Sequence, residues 1–208
     1  MKKLESSLKN MVIVLVLVAF ITSGLLAFVN NVTEAPIKAQ AEKTLADGIK
    51  EVMGGMTLNV ASNDSVKKQF DGKDFVFIVH KVNNAQGKPM GAAVESTTQG
   101  FSGDLKVLVG FDAAGTILGY TILHSTETPG LGQKASDWFQ KGGKGNIIGK
   151  NPVNSMTVNK DGGDIDAITA STITSRAFLK AVNQAYQAYK GGNVNTDAES
   201  GASKQEHN

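Results

Sequence analysis

Leu105-Lys-Val-Leu-Val-Gly-Phe111-Asp112-Ala-Ala-Gly115-Thr116-Ile-Leu-Gly-Tyr-Thr-Ile-Leu-His124 is the stretch on which the fold turns. Two runs rich in β-branched and aromatic residues, Leu105 to Phe111 and Thr116 to His124, flank Asp112-Ala-Ala-Gly115, which has the length and chemistry of a tight hairpin turn. Upstream, Met90 to Thr97 and Phe75-Val-Phe-Ile-Val-His80-Lys-Val82 have the same character, and Asn83-Asn84-Ala-Gln-Gly87 closes the second of them. Strand-like runs joined by short turns predict an antiparallel sheet. His80 shares a strand face with Val76, Ile78 and Val82, so it is expected to be a hydrogen-bonded structural histidine. His124 adjoins the loop that follows and is a candidate for lining a site.

Downstream, Ser136 to Gln140 predicts a short helix carrying Trp138 and Phe139, with a Gly/Lys-rich loop at 141–150 behind it. That loop fits neither G-x-G-x-x-G nor G-x-x-x-x-G-K-[ST] and reads as an ordinary connection. Ala177, Phe178, Ala181, Val182, Ala185 and Tyr186 recur at helical spacing between Thr174 and Lys190. Gly191-Gly192 is expected to stop this helix. Residues 191–208, including His207, hold almost no apolar side chains and predict a disordered polar tail. The helix is entered through Asp166-Ala-Ile-Thr169-Ala170-Ser171-Thr172-Ile173-Thr174-Ser175, an acidic residue followed by a cluster of hydroxyls. A helix N-terminus offers unpaired amides and the positive end of its dipole, which together hold a phosphate. The same hydroxyls also suit plain capping of the helix.

Asp166, two residues, then Thr169-Ala170-Ser171-Thr172 resembles the flavin-attachment motif of the FMN-binding domain family. In that family FMN is esterified through its phosphate to the last Thr of a Ser/Thr-Gly-Ala-Thr core, with an Asp three residues before the core. The resemblance implies covalent FMN on Thr172, with Thr174 as the second choice of acceptor. It also implies a cofactor site made by Asp166, Thr169, Ala170, Ser171, Ile173, Thr174 and Ser175. Ala170 stands where the family has Gly, and Ser171 where it has Ala. A second segment, Glu127-Thr128-Pro129-Gly130-Leu131-Gly132, is an ordinary turn by itself. It is nevertheless similar to the signature of the membrane-anchored members of this family, the G subunits of Rnf-type electron-transport complexes and the C subunits of sodium-pumping NADH:quinone reductases. The resemblance implies that Glu127, Thr128, Pro129, Gly130 and Leu131 form a wall of the flavin site. It further implies neighbouring membrane subunits as redox partners and a flavin transferase, using FAD, that attaches the cofactor and reads Asp166.

Met11 to Val29 is a run of 19 uncharged, mostly apolar residues, roughly 28 Å long as a helix, which matches a bilayer core. Lys2, Lys3 and Lys9 precede it against Glu5 alone, whereas the first cation after it is Lys38, a bias that puts the N-terminus in the cytoplasm. The apolar run is longer than a signal-peptide core and lacks a small-x-small exit, so an uncleaved anchor is expected. Pro36 suits the first turn of a separate, membrane-proximal helix, with Ile37, Ala41, Leu45, Ile49 and Val52 as its stripe and Gly54-Gly55 as its end.

The chain lacks Cys and has three His, which leaves it without the ligands for iron–sulfur clusters, c-type haem or a His-rich metal site. Any redox carrier must be organic. A formal net charge of +2 over 208 residues argues against a nucleic-acid surface. The expected class is α+β: a cytoplasmic N-terminus (1–10), a transmembrane helix in the bacterial inner membrane (11–30), a connection (31–69), a small extracytoplasmic antiparallel-sheet domain with flanking helices (70–190), and the tail. The function that the resemblance implies is that of an electron-transfer flavoprotein subunit of an Rnf-type ion-translocating complex. The quinone-reductase counterpart and a single-span, non-redox binding or scaffold domain remain open beside it.

Overall fold

The computed structural model describes residues 7–55, 58–70 and 72–202, with side chains described through Gly191. Lys2, Lys3 and Glu5, on which most of the N-terminal charge bias rests, and His207 of the expected tail lie outside the described residues. The chain divides into two units, Met1–Thr44 and Leu45–Asn208.

The first unit carries most of helix α1 (Leu8–Val52). From Met11 to Val29 its apolar side chains are exposed all round the helix, Leu15, Phe20 and Leu26 among them. A helix that is apolar on every side and whose apolar window is unburied among the described residues suits a non-aqueous surrounding. It is the one helix among the described residues that is long and apolar enough to cross a membrane. Pro36 does not begin a second helix. It lies inside α1, where it removes one rung of the ladder while the strong helix formers on either side carry the turns through. The helix does end where the glycines require: Gly54 and Gly55 take φ of 90° and 71°, and Gly55 N donates to Lys50 O at 2.8 Å.

The second unit is built on five strands, β1 (Leu58–Phe70), β2 (Lys73–Asn84), β3 (Pro89–Gln99), β4 (Asp104–Asp112) and β5 (Ile117–Ser125). They form one antiparallel meander in chain order, the sheet that the sequence predicts. The Asp112 hairpin forms as expected, with Asp112 Oδ1 accepting from Ala114 N and Thr116 N. β1 departs from expectation, since residues 31–69 read as a helix and a connection. Its sequence is polar because it is an edge strand on which Val66 alone is buried.

A short helix, α2 (Ala135–Trp138), precedes the long α3 (Thr172–Ala202). α3 lies on the sheet face formed by Phe77, Val79, Val94, Val107, Val109 and Phe111, and buries Phe178, Ala181, Val182 and Ala185 against it. Phe178 stacks on Phe139 at 4.3 Å and meets the Tyr120 ring edge-on at 4.7 Å. Each such side chain contributes about 1.5–3 kcal/mol by burial. Contrary to expectation, α3 does not stop at Gly191-Gly192 but runs on to Ala202; two glycines weaken a helix without necessarily ending it.

The opposite sheet face packs Val82, Ala93 and Leu108 against Ile49, Val52 and Met53 at the end of α1. A Cβ on Gly119 would stand 3.0 Å from Val52 Cα, so glycine is what lets that backbone settle on the sheet. This face also buries His80, whose ring nitrogens lie 2.7 Å from Asn63 Oδ1 and 2.8 Å from Glu95 Oε1. Lys106 Nζ reaches Glu95 Oε2 at 2.5 Å. Burial alone would raise the Glu95 carboxyl, but hydrogen bonds from His80 and Lys106, with their charge, outweigh it and hold the group below its ordinary value. His80 is thus the structural histidine that its strand position suggests.

Candidate functional site

The first turn of α3 sorts its hydroxyls by burial. Thr174 is fully buried and donates to Glu127 Oε2 at 2.8 Å. Its proton is thereby committed, so Ser171 Oγ, 2.9 Å away, donates to Thr174. Ser175 Oγ donates to Ser171 O and accepts from Ile168 N, both at 2.9 Å, which fixes the chain that enters the helix. Ala170 takes φ of 60° in that entry. A left-handed conformation is costly for a residue with a Cβ, which accounts physically for glycine at this place in the related motif.

Glu127 is the other half of this cluster. Its Oε1 accepts from Phe101 N at 2.6 Å and its own N–H donates to Ser125 Oγ at 3.2 Å, so one residue ties together the β3–β4 turn, the end of β5 and the start of α3. Gly132 is needed for the closeness: a Cβ there would lie 2.5 Å from Glu127 Oε2 and 2.8 Å from Thr174 Oγ1. The two sequence segments singled out are therefore joined in space, through Glu127, Thr174 and Ser171.

Thr172 has the opposite character. It is half-exposed, and Lys160 Nζ donates to its Oγ1 at 3.1 Å. The α3 ladder begins with Ser175 N donating to Ser171 O, so the amides of Thr172, Ile173 and Thr174 precede it and lie at the positive end of the helix dipole. Lys160 is carried by the turn Asn159–Asp161, which is pinned by Asn159 N donating to Ile165 O and Asn159 Nδ2 to Asp166 Oδ1, both at 2.7 Å. The next residue, Asp161, takes a two-pronged bond from Arg176 at 2.7 and 2.6 Å. The guanidinium holds the Asp161 carboxyl below its usual range.

The segments that meet at this helix start also carry exposed apolar side chains: Leu131 at 40%, Ile173 at 52% and Phe101 at 67% exposure. Large apolar groups left in water near a polar acceptor are the expected lining of a ligand site. Thr128 Oγ1 lies 3.4 Å from Ser102 Oγ, Pro129 and Gly130 are exposed, and Gly130 has φ of 73°. Thr169 is exposed in the turn before the helix. Asp166 points its carboxylate at Asn159, and its carbonyl accepts from Trp138 Nε1 at 2.8 Å. His124 stands exposed on β5 opposite Lys106, outside the Glu127–Thr174 cluster. Lys160, Asn159 and Phe101 were not singled out by the sequence. Only the folded loops bring them to the helix start.

Residues 100–187 match the FMN-binding domain family, and residues 1–52 match the RnfG N-terminal region. The protein is similar to the G subunit of an ion-translocating oxidoreductase complex of Shewanella oneidensis, 35% identical over 182 residues that cover 83% of this chain and 85% of the relative. The same-named protein of Vibrio parahaemolyticus is 35% identical over 176 residues, covering 81% and 82%. That of Salmonella typhi is 36% identical over 183 residues, covering 83% and 86%. With a match of this depth along most of both chains, and with the two motifs clasped at one helix start, the chain belongs to the G-subunit family of ion-translocating oxidoreductase complexes.

Proposed function

We propose that the protein is the electron-carrying flavoprotein of a membrane-bound Rnf-type ion-translocating oxidoreductase, and that it holds FMN as a phosphoester on Thr172. The observation that carries this reading is the division of the hydroxyls. Ser171, Thr174 and Ser175 spend theirs on buried contacts, whereas Thr172 is reachable, with the first amides of α3 and the Lys160 ammonium around it. This donor set fits a phosphodiester anion. Leu131 and Ile173 would hold the isoalloxazine ring between the Glu127–Leu131 loop and the first turn of α3, with Phe101 beside them. Bound there, FMN supplies reversible electron transfer, for which the chain's own side chains have no chemistry.

Attachment requires a flavin transferase with FAD as donor. The Thr172 oxygen bonds to the flavin-side phosphorus, the bond to the departing AMP breaks, and the hydroxyl proton leaves to the transferase. The helix from Met11 to Val29 would sit in the inner membrane with Lys9 on the cytoplasmic side and the sheet domain outside. Its redox partners would be the neighbouring subunits of the complex.

The test is the denatured protein. Full-length chain co-produced with a flavin transferase should run as a fluorescent band in a denaturing gel and gain the mass of one FMN. A dark band and an unchanged mass would contradict the reading.

A further inference from the structure

We propose that Lys160 is the phosphate-binding cation of the attachment site, and that Asp166 acts there as a positioning residue, through Asn159. The proposal rests on Thr172 being the acceptor. It assigns a role to a residue outside both motifs, and a different role to the acidic residue that heads one of them.

The contacts form a chain. Asp166 Oδ1 accepts from Asn159 Nδ2 at 2.7 Å, Asn159 N donates to Ile165 O at 2.7 Å, and the next residue, Lys160, places Nζ 3.1 Å from Thr172 Oγ1. Asp166 itself makes its side-chain bond to Asn159, not to the acceptor. The bridge between Val158 and Ile165 closes the base of this loop, so the asparagine and the aspartate face each other across it.

The neighbouring charges sharpen the assignment. Arg176 lies one turn beyond Thr172 and would be the other cation for a phosphate, but Asp161 takes its guanidinium with both oxygens. The dipeptide Lys160-Asp161 thus delivers a cation to the acceptor hydroxyl and an anion to the nearest arginine. Once Thr172 Oγ1 is the ester oxygen, the phosphodiester carries one negative charge. The ammonium is already within hydrogen-bond distance of the oxygen that would carry the phosphorus, and its three donors can turn to the non-bridging oxygens, which hold the charge. Before attachment the same ammonium orients the hydroxyl and draws the negative flavin dinucleotide toward it.

The experiment follows attachment to the full-length chain in detergent, with purified flavin transferase and FAD, by intact mass over time. Lys160→Met should load about tenfold more slowly than wild type, the loss of one charge-assisted hydrogen bond, and Lys160→Arg should restore most of the rate. Asp166→Ala should also be slow, yet the Asp166→Ala/Lys160→Met double variant should be no slower than Lys160→Met alone. Phosphorus NMR of the loaded proteins should show the ester resonance displaced in Lys160→Met and not in Lys160→Arg. Thermal unfolding of Lys160→Met should match wild type, since the side chain serves the ligand and not the core. Wild-type loading and an unmoved resonance in Lys160→Met would overturn the cation's role. Losses that multiply in the double variant would overturn the positioning role, and would mean that the transferase reads Asp166 directly. Failure of wild type to take FMN on Thr172 would instead overturn the attachment reading itself.

Discussion

Among the described residues, the two buried carboxylates, Glu95 and Glu127, are held in two different ways. Glu95, on the sheet face toward the end of α1, is met by His80 and by the Lys106 ammonium, all within neighbouring strands. Glu127, beside α3, is met by a backbone amide and a threonine hydroxyl drawn from two separate segments. The first arrangement is self-contained and holds a sheet face together. The second uses neutral donors to bind loops to a helix start, and that end of the domain carries a half-exposed hydroxyl, an exposed lysine and exposed apolar side chains. Buried polar groups that join loops, next to groups left reachable, are what the proposed flavin site would use: a fixed frame beside an accessible acceptor.

Breaking the Glu127 clasp should have the largest effect on stability. Glu127→Ala leaves the Phe101 amide and the Thr174 hydroxyl without their buried acceptor and should cost about 3 kcal/mol, measured by denaturant unfolding. A loss near zero would mean that the loops are held by other contacts.

The Glu95 cluster should answer to pH instead. Its carboxyl titrates below its ordinary value, so its contribution is present above that value and is lost as pH falls through the lower, folded-state one. Acid unfolding curves should show this loss below about pH 4.3, where an unperturbed glutamate titrates, and Glu95→Gln should flatten that limb while leaving the neutral side unchanged in slope. An acid limb of equal steepness in the variant would remove Glu95 from the account.

The smallest effect, and one of opposite sign, belongs to the helix entry. Ala170→Gly should relieve the left-handed backbone at φ of 60° and raise stability by about 1 kcal/mol. A decrease would show that the alanine methyl makes a favourable contact there.

Residue chemistry reveals some of these features and hides others. β2 to β5 are legible because alternation and β-branched content coincide with turn residues, and α3 because its apolar stripe is strict. β1 is hidden by its polarity, as an edge strand with one buried side chain needs no alternation. Pro36 and Gly191-Gly192 mislead because both are weak punctuation when long helical runs lie on each side. At the proposed site, the motif singles out Thr172 as the candidate acceptor. The bond between Glu127 and Thr174 spans 47 positions, and the Lys160 contact depends on how the 157–166 loop closes, so spacing signals neither.

Of the two threonines in the first turn of α3, the half-exposed Thr172 is the proposed chemical acceptor and the buried Thr174 its brace. The most direct measurement is fragmentation mass spectrometry of the flavin-bearing peptide from wild type, Thr172→Ala and Thr174→Ala, each co-produced with a flavin transferase. The account predicts FMN on Thr172 in wild type and in Thr174→Ala, none in Thr172→Ala, and a Thr172→Ala chain that folds within about 1 kcal/mol of wild type. FMN on Thr174, or its retention in Thr172→Ala, would contradict it.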